Sequence, residues 1–340
     1  MTERPGYQKP QAEHPFAPYV RILGKGKAGS RSLTEAEARD AFGMILRGEV
    51  EPLQLGAFLM LLRVKEETPA ELAGFVRSCR EVMVQAPADL QADLDWSSYA
   101  GKRQQHPWFL LSMLLLAQVG YRIFVHGCDG HTQGRLYTES AMRQLGLPVA
   151  ETWEEVATQL SQAGLSYLPL RHFCVPLHDM MQLRPLLGLR SPVNTLARLI
   201  NPLMSRASVQ SVFHPAYAKL HQEADHLLGQ SRSLVFKGES GEVEIKPQAD
   251  TRLQLLCEDG TFREINLPRT IDQRVPAVHS PSVSPLRRLW SGEQAKPQGL
   301  EAVLSTTAAV LLLLRPELGI QEARTTAIEL WSRRNRERLA

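Results

Sequence analysis

A chain of 340 residues with 43% hydrophobic and 22% charged residues has ample material for one large or two unequal globular domains, and this composition excludes a disordered or fibrous protein. The net charge of +3 excludes a histone-like polycation, so any affinity for nucleic acid must come from local clusters of Lys and Arg. Four widely spaced cysteines, Cys79, Cys128, Cys174 and Cys257, form no CxxC pattern. That argues against structural zinc and fits reduced thiols in a cytoplasmic protein.

Residues 1–20 hold four prolines, no helical periodicity and no apolar leader, and are expected to form a flexible arm. Residues 21–86 read as a helical domain. Thr34-Glu-Ala-Glu37 is a capping box that opens one helix, 53–63 is an apolar helix, and Thr68-Pro69-Ala-Glu71 opens another with proline at its favoured first position. Residues 87–340 read as a larger α/β domain ending in a basic helix. Strands are expected at 122–127, 164–170, 208–214 and 233–237, with helices at 107–119, 139–146, 153–163 and 215–228. This alternation predicts a mixed, mostly parallel central sheet flanked by helices. Parts of 170–205 are expected to pack on the helical domain. Residues 273–300, rich in Pro, Ser and Gly, read as a surface loop, and 299–339 as a final helical region. The apolar runs 108–117 and 308–314 are too short to span a bilayer and read as buried helices, so no membrane partner is expected.

The order of a helical bundle and then an α/β domain resembles the anthranilate phosphoribosyltransferase and nucleoside phosphorylase superfamily over roughly residues 20–330. Four segments carry the likeness: "LRGEVEPLQLGAFLMLLRVKEETPAELAGF", "FVHGCDGHTQGRLYTESAMRQLG", "GLRSPVNTLARLINP" and "SRSLVFKGESGEVEI". The departures are as informative. Where the transferases carry a GTGGD loop, whose backbone N–H groups cradle pyrophosphate, this chain has "WSSYAGKRQQ", with Gly101 alone kept and Lys102 and Arg103 added. The lysine and asparagine of the family's KHGN motif fall on Val125 and Cys128. The Asp-Glu pair that holds magnesium falls on Val243 and Glu244, and one carboxylate is a poor site for a hard cation. The same departures resemble the YbiB-type paralogues, as does "NTLARL". That resemblance implies a homodimer binding DNA or RNA with little sequence preference, no catalytic residue, no metal and no cofactor.

The basic residues support that expectation from below. Lys25 and Lys27 flank a glycine. Lys102 and Arg103 sit where the family places its phosphate loop, and are expected on a flexible basic turn. Arg135, Arg190, Arg198 and Arg206 are candidates to line the same cleft, and the competing reading of each alone is a surface salt-bridge partner. Arg333, Arg334, Arg336 and Arg338 crowd the C-terminus with Trp331 one turn before, an arrangement suited to phosphate and base contacts. The competing reading of that tail is a frayed helix end whose arginines complement the dipole. A continuous basic groove joining Lys102, Arg103 and the tail is the expected interface. Glu239, Glu242 and Glu244 read as a solvated hairpin. The alternative function is a pentosyltransferase with altered donor or acceptor, using phosphoribosyl diphosphate with Mg2+, whose remnants would be Gly101, His126, Gly127, His172, Arg184 and Glu244. On balance the residues lean away from catalysis.

Overall fold

The computed structural model describes residues 12–26, 28–130 and 132–339. Most of the expected arm, and Lys27, lie outside them. Helix α1, Ala17–Gly24, begins inside the segment expected to be an arm, and buries Leu23 against the bundle. The bundle continues with α2 (Glu35–Leu46), α3 (Pro52–Lys65) and α4 (Pro69–Val82). The Thr34 and Thr68 capping boxes form as the sequence predicts: each hydroxyl accepts from the amide three residues on, and that residue's glutamate reaches back.

Among the described residues seven strands build one sheet in the order β3-β2-β1-β4-β5-β6-β7. They are β1 (Leu94–Ser98), β2 (Ile123–Gly127), β3 (Leu165–Pro169), β4 (Ala207–Val212), β5 (Arg232–Lys237), β6 (Thr251–Leu256) and β7 (Phe262–Leu267). The first five in the sheet are parallel, and β6 and β7 run antiparallel to β5 and to each other. The mixed, mostly parallel sheet is therefore as expected. Strand β1 and the β6–β7 hairpin go beyond what the sequence pattern predicts.

Helices α5 (Phe109–Gln118), α6 (Thr138–Leu145) and α7 (Trp153–Ala163) alternate with the strands. Four short helices follow β3: α8 (Leu170–Phe173), α9 (Val175–Met181), α10 (Arg184–Leu187) and α11 (Val193–Leu196). Then come α12 (Ala216–Leu227), α13 (Ser284–Ser291), α14 (Pro297–Leu314) and α15 (Ile320–Ser332). Helix α13 lies inside the segment expected to be loop. It has proline in its first turn and buries Leu286, Leu289 and Trp290.

Two large apolar cores result. On one face of the sheet, α5 and α14 pack with α13 and α15 over Trp96, Val125, Val209 and Phe236. Helix α14 is apolar and long enough to cross a membrane, but most of it is buried in this core. On the other face, Phe124, Leu168 and Trp153 join the bundle residues Phe42, Phe58 and Phe75. The bundle is thereby seated on the sheet, with Arg80 of α4 donating to the carbonyls of Ile200 and Leu199.

Strand order reverses where β1 lies between β2 and β4. In open parallel sheets the crevice outside the carboxyl ends of the strands at such a switch point is where ligands bind. The loop after β1, holding Ala100 to Gln105, occurs at that point.

Candidate anion and nucleic-acid interface

The expected basic turn is not a basic turn. Lys102 is fully buried, and its Nζ donates to Glu244 Oε1 at 2.6 Å. The second oxygen of Glu244 accepts from the Phe109 amide at 2.8 Å, at the start of α5. Burial pushes the Glu244 carboxyl up to about 7, against the downward pull of Lys102. Glu242 is equally buried. Its Oε1 accepts from the amides of Ala100 (2.7 Å) and Gly101, and its Oε2 from Ser98 Oγ at 2.6 Å. Ser98 Oγ is also 2.6 Å from Thr138 Oγ1, the first residue of α6.

The hairpin expected to be solvated is thus folded into the loop, because its carboxylates find five donors there. Gly238 makes the approach possible: a Cβ there would sit 1.7 Å from the Glu242 carbonyl oxygen. Gly101, at φ +67°, turns the loop so that both amides face one oxygen.

Arg135 secures this arrangement. Its Nη1 donates to the carbonyls of Ala100 and Gly101 at 2.8 Å and reaches that of Ser240. Its Nε has no protein partner among the described residues. Arg198, near Glu242, lies 6.0 Å from the Tyr99 ring centroid. Tyr99 Oη is 2.6 Å from His126 Nδ1, and His126 Nε2 is 3.3 Å from Asp95. His126 is therefore a buried positioning residue. Gly127 lets β2 pass against Ser98, whose carbonyl a Cβ would meet at 2.1 Å. His172 is half-buried. Exposed Arg184 donates to Thr132 Oγ1 at 2.7 Å. Lys25 is exposed at the end of α1, and Arg206 is exposed and pairs with Glu258.

The C-terminal arginines lie elsewhere. Arg338 donates to the carbonyl of Ala163, which precedes β3, and the Arg333 carbonyl accepts from Gln118, which precedes β2. Those are the amino ends of strands whose carboxyl ends face the β1 loop. The tail and the Lys102–Arg103 pair are thus at opposite ends of the sheet, and the described residues form no single groove joining them. Arg334 is buried, donating to the carbonyls of Trp290 and Trp331, and its guanidinium lies 3.8 Å from the Trp331 ring centroid. Trp331 therefore stacks on an arginine of its own chain. Arg333 and Arg336 are exposed.

A different basic surface is present. An open groove of about 1170 Å³ runs from the β1 loop over β5, β6, β7 and α12. Its walls carry Arg103, Arg135, Lys219, Lys237, Lys246, Arg252 and Arg263 against Glu239, Asp250 and Glu264. Arg103, Lys237 and Arg263 have no carboxylate within 4 Å among the described residues. Phe213 and Phe262, about half exposed, interrupt the charges. Phe213 also lines a cleft of about 150 Å³ between bundle and sheet, with Arg63, Arg190 and Arg198. Sequence reading missed most of this groove because five of its seven cations lie on α12, β5, the β5–β6 connection, β6 and β7, scattered through unremarkable stretches.

Beneath the cleft, Gln210 bridges Asp225 and His221. Burial pushes Asp225 up to about 7 and His221 down to about 3. Below its unfolded value Asp225 contributes full stability, lost as pH rises through about 7. His221 works oppositely, its contribution lost as pH falls from about 6.5 through about 3. The two slopes oppose each other between pH 4 and 6.5. In Asp225→Asn only the histidine slope remains, so stability relative to the parent should climb by about 2–4 kcal/mol from pH 4 to 7.5, read by urea unfolding at each pH. An unchanged slope would remove Asp225 as the titrating group.

A helical bundle seated beside the switch point of a mixed seven-stranded sheet defines a two-domain glycosyltransferase-type fold. Two family models match: the helical bundle domain of the glycosyl transferase family over residues 18–83, and its a/b domain over 110–332. The chain belongs to glycosyltransferase family 3, among its YbiB-type members. It is 29% identical over 245 residues to the YbiB protein of Escherichia coli, covering 71% of this chain and 76% of that one. It is 30% identical over 297 residues to the anthranilate phosphoribosyltransferase of Salinispora arenicola, covering 84% and 82%. In fold it is similar to the anthranilate phosphoribosyltransferase of Thermus thermophilus, with a TM-score of 0.75, 24% identity and 92% and 94% of the two chains covered.

The residues here do not fit magnesium and a diphosphate donor. Val243 brings no ligand, Glu244 is bound to Lys102 and Phe109, and Glu242 to the loop amides. Among the described residues no group of three His, Cys, Asp or Glu side chains is placed to hold a metal.

Proposed function

We propose that this protein binds DNA or RNA with low sequence specificity in the groove between the β1 loop and the β6–β7 hairpin, as a cytoplasmic homodimer working without metal or cofactor. The observation that carries the reading is the cationic groove interrupted by Phe213 and Phe262. Unpaired guanidinium and ammonium groups suit backbone phosphates, and exposed aromatic faces suit bases. Contacts of this kind carry little sequence information.

The test is fluorescence anisotropy with mixed-sequence oligonucleotides across salt. Affinity should fall steeply with salt. The Arg103→Ala, Lys237→Ala, Arg263→Ala triple variant should bind roughly 10–100-fold more weakly near 50 mM salt, with a salt slope shallower by about 2. Phe213→Ala should cost about 1–3 kcal/mol on single strands and less on duplex. A triple variant that binds like its parent would sink the proposal.

A second reading is pentosyl transfer, and the relatives with a named activity favour it, since they are anthranilate phosphoribosyltransferases. Arg190 and Arg198 in the interdomain cleft would then face a phosphorylated substrate. Calorimetric titration with phosphoribosyl diphosphate and Mg2+ separates the readings: saturable, magnesium-dependent binding supports transfer, and none is expected under the first.

A further inference from the structure

We infer that the cationic groove holds a single strand of nucleic acid and discriminates against duplex, an inference that rests on the polyanion reading above and adds the strand form. Two half-exposed aromatics stand at opposite ends of the groove. Phe213 follows Val212, which pairs with Lys237 at the carboxyl end of β5, and Phe262 pairs through Leu256 with Ser233 near the other end of that strand. Four residues separate Ser233 from Lys237, Phe213 adds one more, and Phe262 lies three strands across from β4. At about 3.3 Å per residue and about 4.8 Å per strand, the two phenylalanines are roughly 20 Å apart. Arg103, Lys237 and Arg263 lie along the same diagonal, on the loop after β1, the end of β5 and the start of β7.

A phenylalanine face stacks on a base only where that base is unpaired or its step is forced open. A relaxed duplex keeps its bases inside, so both rings would meet sugar and phosphate, and reaching bases would require unstacking two separate steps. A single strand presents unpaired bases to both rings at once. The carboxylates act in the same sense. Glu239, Asp250 and Glu264 stand among the cations, Glu264 accepting from Gln254 at 2.6 Å and lying 3.5 Å from Arg252. A duplex carries one charge per about 1.7 Å of axis on two backbones, and would bring a second row of phosphates against acidic side chains as well as basic ones. A single backbone can follow the cations while its bases turn toward the acids, which accept from the exocyclic amino groups that pairing otherwise occupies.

The experiment uses the full chain and fluorescence anisotropy with three probes of equal phosphate count: an unstructured pyrimidine DNA strand, its RNA counterpart, and a DNA hairpin duplex. The parent should bind either strand at least about tenfold more tightly than the hairpin near 100 mM salt. The Phe213→Ala, Phe262→Ala pair should lose about tenfold or more on the strands and less than about threefold on the hairpin, which removes the preference. The Phe213→Tyr, Phe262→Tyr pair keeps both flat faces and should retain it. Both aromatics are half exposed, so these exchanges leave the core intact, and circular dichroism checks the fold. Strands and hairpin bound alike with a steep salt dependence would overturn the single-strand inference and leave the polyanion reading standing, as would an alanine pair that keeps the preference. Absence of salt-sensitive binding to every probe, or a triple groove variant that binds like its parent, would overturn both.

Discussion

Lys102→Ala is expected to destabilise the protein by about 3–5 kcal/mol, the range for breaking a buried ion pair by removing one partner. The substitution would strand Glu244 among Phe109, Trp96 and Val243, with only the Phe109 amide left as donor. Its carboxyl, already raised by burial, would rise further and take up a proton in the folded state. An exposed lysine on a turn would give a change within about 0.5 kcal/mol, so the measurement separates the two placements cleanly. Urea unfolding at pH 7 is sufficient. The double variant Lys102→Met, Glu244→Gln should recover most of the loss, since the amide oxygen still accepts from Phe109 and no charge is left without a partner. A single variant as stable as its parent would show that the ion pair does not form.

The second large effect is at the tail. Arg334→Ala should cost about 2–4 kcal/mol and leave oligonucleotide affinity unchanged. Its guanidinium satisfies the carbonyls of Trp290 and Trp331 and lies against the Trp331 face, so alanine leaves buried acceptors unsatisfied and a gap beside two indoles. The reading of this arginine cluster as a nucleic-acid handle predicts the reverse: normal stability and weakened binding. The two quantities are measured on one sample, and they move in opposite senses under the two accounts.

Much of the scaffold was legible because local chemistry and tertiary context agree. Strands β2, β3 and β5 carry short apolar stretches, β4 alternates valines with polar residues, and the two threonine boxes declare their helices unaided. Strand β1 was hidden because its residues Asp95, Ser97 and Ser98 are polar yet buried, Asp95 beside His126 and Ser98 bound to Glu242. The hairpin was hidden by a mixed pattern, although Asp259-Gly260 between β6 and β7 is a turn signal that reading for strands could have found. The site was harder. Lys102 and Glu244 are 142 residues apart, and charge alone argues for solvent. Nothing nearby in the chain reveals that the partner of a lysine arrives on a distant hairpin, and the same is true of Glu242 and the loop amides.

The borders of the sheet differ in how they meet solvent. At β3 the chain itself adds one more rung, with the Ala150 amide donating to the Tyr167 carbonyl and Val149 bridging the same residue. At β7 no such rung is present among the described residues, and the outer strand exposes Phe262, Arg263, Glu264 and Asn266. An uncovered rim of this kind invites a neighbouring molecule to extend the ladder, the first step toward insoluble fibres. Arginine and glutamate side by side on that rim set like charges against each other when identical copies stack in register, which guards the colloidal solubility of the fold.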